Sequence, residues 1–131
     1  MGRYEAAIAK TGLGVPGPGT CPTEQQIPQL LEYTRDEDPK VRRLAVKHLC
    51  PCRLQRHCGL VWERVFELIQ DPDPGVRRDA VHAMTDGSPR EYAETVQLHL
   101  ESMRRDPDPR VRKYVNRTLD AIRRTGRVNV N

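Results

Sequence analysis

The run Asp38-Pro39-Lys40-Val41-Arg42-Arg43 returns as Asp73-Pro74-Gly75-Val76-Arg77-Arg78 and again as Asp108-Pro109-Arg110-Val111-Arg112-Lys113, each copy 35 residues after the last. A constant period of this size means a supersecondary unit stacked on copies of itself, because one unit cannot bury its apolar face alone. Each copy reads as a helix start. The aspartate can cap free backbone N–H groups, and proline in the first turn sacrifices no hydrogen bond. Apolar positions follow at helical spacing: Val41, Leu44, Ala45, His48 and Leu49, then Val76, Ala80, Ala83 and Met84, then Val111, Tyr114, Val115, Leu119 and Ile122.

An amphipathic segment precedes each copy: Thr23 to Arg35, Leu60 to Gln70 and Pro89 to Arg105. Thr23 with Gln26 resembles a capping box, and Asp86-Gly87-Ser88-Pro89 combines a helix stop, a cap and a first-turn proline. The expected fold is all-α, a short right-handed α-solenoid of three helix pairs over residues 23–125, with repeats at about 23–50, 58–86 and 88–125. Ahead of it, residues 1–22 comprise a short apolar segment and a Gly/Pro linker, and 126–131 read as a polar tail. Only 5% of residues are aromatic, so the core must be mainly aliphatic, which suits thin helical layers better than a β-sandwich.

The repeated unit resembles the HEAT repeat, whose pattern places Asp-Pro-x-Val-Arg at the turn into its second helix. Leu49 to Cys52, Asp86 to Pro89 and Arg124 to Asn129 also resemble stretches of small bacterial HEAT-like repeat proteins. The resemblance covers residues 23 to 124 and implies a scaffold or binding surface in which second helices line the inner side. It also implies that Arg42, Arg77 and Arg112 hydrogen-bond the aspartate of a neighbouring turn.

Charge is unevenly shared between helices. The second helices carry net charges of +3, 0 and +4 in chain order, against about −2 for the first helices together. At about 100° per residue, position 43 lies about 200° from core-facing Val41 and position 47 about 240° away. Arg43, Lys47, Arg78, His82, Lys113 and Arg117 therefore form one expected solvent column, suited to an acidic protein surface or to nucleic-acid phosphates. The competing reading is an ordinary solvated helix face. Of the aromatic residues only Tyr114 falls near this column, and its spacing directs it to the core, so base stacking has little support.

Cys50, Cys52, His57 and Cys58 sit between the first and second repeats, and these residue types are enough for a tetrahedral zinc site. Against that, Cys50-Pro51-Cys52 lacks the two-residue spacer of common zinc motifs, and buried cysteines are often plain packing residues. Arg53 and Arg56 could also activate a nearby thiol. His48 lies on an apolar face and reads as a packed, hydrogen-bonded histidine.

No phosphate-binding glycine loop is present, and nothing groups a nucleophile with a base and an oxyanion site. Alkylpurine DNA glycosylases show that HEAT-like folds can act on DNA, but they place aromatic and acidic residues in the inner cleft. Trp62 here belongs to a first helix, in the outer layer. The reading is a non-catalytic adaptor for an acidic protein partner, with a nucleic-acid-binding module and a zinc-stabilised interaction module as alternatives. Self-association through exposed stack ends fits as well. With no secretory leader and no apolar run near the ~18 residues of a membrane span, the expected location is the cytoplasm.

Overall fold

A computed structural model describes residues 24–51 and 58–131. The linker, Thr23 of the expected capping box, Cys52 and His57 lie outside the described residues. Among the described residues, six α-helices alternate as first and second members of three pairs: α1 (Ile27–Tyr33) with α2 (Pro39–Leu49), α3 (Gly59–Glu67) with α4 (Pro74–Met84), and α5 (Ala93–Ser102) with α6 (Pro109–Thr125). No strand occurs among the described residues. The helices form an all-α solenoid in which α2 packs on α4 and α4 on α6.

The three Asp-Pro starts fold alike. Asp38, Asp73 and Asp108 adopt extended backbone as N-caps, and the following prolines open the helices. Their carboxylates accept from the amides of Lys40, of Val76, and of Arg110 and Val111. Each cap is worth about 1 kcal/mol. The first helices are shorter than their apolar periodicity suggests. The second ends in a 3-10 turn at Leu68–Gln70, and the third is entered through another at Arg90–Tyr92.

An aliphatic core runs through all three pairs, with Leu30, Leu49, Val65, Val76, Met84, Leu100 and Val115 almost wholly buried. Each such side chain contributes about 1.5–3 kcal/mol by leaving water. Trp62 sits in the layer of first helices, buried beside Phe66 and Tyr92, while Phe66 stacks on His99 with ring centroids 4.9 Å apart.

Arginine forks tie the turns together. Arg42 meets Asp71 through Nε and Nη2, both at 3.0 Å, and its Nη1 reaches the Asp36 and Glu37 carbonyls. Arg77 repeats this on Asp106 at 2.9 Å and on the Asp71 and Pro72 carbonyls. Arg112 makes only the carbonyl contacts, to Asp106 and Pro107, with no carboxylate partner among the described residues. Asp36, Asp71 and Asp106 each also accept from the backbone amide two residues on, so the latter two carboxylates hold a turn and a neighbouring repeat together.

The C-terminal segment returns to the stack. Gly126 takes a left-handed conformation that ends α6, and Val128 is buried. Asn129 Oδ1 then accepts from the Gly87 and Ser88 amides at 2.8 and 2.9 Å, while its Nδ2 donates to the Ser88 carbonyl.

Candidate partner-binding face on the second helices

Residues of the expected column meet different neighbours from repeat to repeat. Arg43 stays partly exposed, but its Nε donates to Asp79 Oδ2 at 2.9 Å. The path is cleared by Gly75, where a Cβ would lie 2.9 Å from both Arg43 Cδ and Asp73 Oδ2. Helical-wheel geometry places a side chain on its own helix and says nothing of a carboxylate on the next one.

Arg78 takes the corresponding step and finds Tyr114. Its guanidinium carbon lies 5.6 Å from the ring centroid, and that of Arg117 lies 5.8 Å away. Such cation–ring contacts are worth about 0.5–1 kcal/mol at exposed sites and leave the charge in place. Tyr114 packs against the core yet stays partly exposed, an intermediate position that its periodicity alone does not distinguish from full burial. Burial pushes its phenol above the usual range, while a hydrogen bond with Asn131 and the charges of Arg78 and Arg117 pull the other way.

Lys47, Arg78, Lys113 and Arg117 are all exposed, and none makes an ion pair among the described residues. By contrast, the arginines at 42, 43 and 77 are neutralised. The second helices thus carry both structural arginines and uncompensated cations, which charge counting by helix cannot separate.

His82, also exposed, joins a polar cluster. Its Nδ1 lies 3.2 Å from the Tyr114 hydroxyl and its Nε2 3.4 Å from Asp86 Oδ2. The Cys50 thiol donates to the same Asp86 oxygen at 3.2 Å. Cys50 is therefore grouped with residues one repeat away, and Cys58, the N-cap of α3, is not part of that group. His48 is fully buried. Cys50-Pro51, Asp86-Gly87-Ser88 and Asn129, which the repeat pattern alone leaves unexplained, meet at this place.

A groove of about 790 Å³ lies elsewhere, between α5, α6 and the C-terminal segment, and no residue of the basic column lines it. No helix of the described residues is long and apolar enough to cross a membrane.

Stacked helix pairs with capped Asp-Pro turns and inter-repeat arginine forks define an α-solenoid of short repeats. The family model described as HEAT repeats matches residues 27–119, and the chain belongs to that family. Neither a curated protein nor a solved structure matches the chain. HEAT repeats generally mediate protein interactions as scaffolds and are typically non-catalytic.

Proposed function

We propose that the chain is a non-catalytic adaptor that seats an acidic surface of a protein partner on its second helices. Support comes from one arrangement above all: Arg78 and Arg117 converge on Tyr114 with no carboxylate pairing them among the described residues, and Lys47 and Lys113 are exposed on second helices as well. Tyrosine and arginine are the residue types that most often anchor interfaces. Uncompensated cations add steering, raising association rates at low salt and falling off with ionic strength. Arg43, paired with Asp79, contributes at the rim. Among the described residues, the aromatic ring on this face, Tyr114, is already engaged by two guanidinium groups, which favours a protein surface over stacked bases.

The test compares wild type with Arg78→Glu/Arg117→Glu as tagged baits in native-host lysate, with and without nuclease, after circular dichroism has shown both folded. The expected result is a nuclease-resistant protein partner captured by wild type and depleted at least tenfold with the variant. Equal capture by both baits would refute the surface, and capture that collapses with nuclease would move it to nucleic acid.

A further inference from the structure

We propose that Cys50, His82 and Asp86 form a zinc-binding site joining the ends of α2 and α4. Sulfur, nitrogen and oxygen donors from these three residues all lie within 4.8 Å of one another. With zinc bonds of about 2.0–2.3 Å, the edges of a ligand tetrahedron are about 3.3–3.8 Å. Cys50 Sγ to Asp86 Oδ2 is 3.2 Å and His82 Nε2 to Asp86 Oδ2 is 3.4 Å. The latter is long for a histidine–carboxylate hydrogen bond and suits two ligands of one ion.

The surroundings support ligand roles. The Tyr114 hydroxyl stands 3.2 Å from His82 Nδ1, and a proton held there leaves the Nε2 lone pair for a metal. Cys50 is buried at the end of α2, so its thiol is held in place by packing. Gly87, at φ +120°, lets the Asp86 turn approach the Cys50-Pro51 turn, since a Cβ there would lie 3.1 Å from Pro51 Cβ. Asn129 fixes the same turn through the Gly87 and Ser88 amides.

One thiolate, one imidazole and one carboxylate make a borderline-soft donor set that favours zinc over magnesium or calcium. The thiolate is the form that binds metal, so binding displaces the thiol proton. Three protein ligands leave a fourth tetrahedral position for water or another donor. The adaptor reading does not depend on this site, because the uncompensated cations are not among its ligands.

Metal-free reduced protein is titrated with Zn2+ by calorimetry and with Co2+ by absorption. The expected result is one zinc per chain and a near-ultraviolet thiolate-to-cobalt band. Cys50→Ser should abolish the band, and His82→Ala, on an exposed side chain, should weaken zinc at least 100-fold. Tyr114→Phe should weaken zinc about 10- to 100-fold, as for loss of an outer partner of a metal-bound histidine. No zinc uptake by wild type would overturn the proposal. So would unchanged zinc affinity in folded His82→Ala, or a cobalt band that survives Cys50→Ser but is lost in Cys52→Ser/His57→Ala.

Discussion

Arg78 lies over the ring of Tyr114 at the same 36-residue step by which Arg43 reaches Asp79. One geometry thus yields a neutral ion pair between the first two repeats and an uncompensated cation between the last two. Asp79→Asn removes the carboxylate that Arg43 Nε meets and should make the partner-binding face more positive. The side chains of this pair are partly exposed, so its loss should lower stability by only about 1 kcal/mol or less. Capture of an acidic partner should rise, and more so at low salt. Denaturant titration and salt-dependent binding measure the two effects.

The forks between turns should behave quite differently. Arg77 and Asp106 are about 90% buried, and the hydrogen bond to Asp106 is the main reason that the Arg77 pKa is raised. Removing one member leaves the other charge buried, so Arg77→Ala should cost about 3–5 kcal/mol. Arg112→Ala, at a fork with carbonyl contacts alone, should cost about 1 kcal/mol. Urea unfolding of the two variants provides an internal comparison.

Gly87→Ala should be destabilising by about 1–3 kcal/mol, because an L side chain at φ +120° is strained and its Cβ meets Pro51. Asn129→Ala should cost a similar amount by leaving the Gly87 and Ser88 amides without this acceptor. Hydrogen exchange should show the loss of protection at Gly87 and Ser88 in the latter variant, with α1 unaffected.

Burial against Phe66 holds the pKa of His99 below its ordinary value of 6.5. The unfolded chain therefore takes up this proton before the folded one does. Stability from His99 is fully present above pH 6.5 and is lost as pH falls through the lower folded value. Thermal melts of wild type from pH 7.5 downward should decline more steeply below that point than melts of His99→Gln. Parallel pH profiles would contradict this assignment.

The helix starts were legible because proline and aspartate act locally: Asp38, Asp73 and Asp108 cap the turns that their sequence marks. The roles of Arg42 and Arg77 followed from the family pattern. Pairing between repeats was less visible. Asp79 replaces Leu44 and Tyr114 at equivalent positions of the 35-residue period, and only stacking reveals that it lies under Arg43. Sequence proximity groups Cys50 with Cys58 in one loop, whereas the solenoid sets Cys50 beside His82 and Asp86 one repeat later. The usable signal was their i, i+4 spacing at the end of α4, one period after Lys47 and Pro51.

The most direct test of the adaptor account is photocrosslinking from each layer of the stack. Benzoylphenylalanine is placed at Lys47, exposed on second helix α2, or at Leu98, which is 65% exposed on first helix α5. Irradiation in native-host lysate should give a discrete, nuclease-resistant protein adduct from position 47 that disappears with Arg78→Glu/Arg117→Glu. An adduct from position 98 alone, or one from position 47 that survives charge reversal, would contradict binding through the second helices.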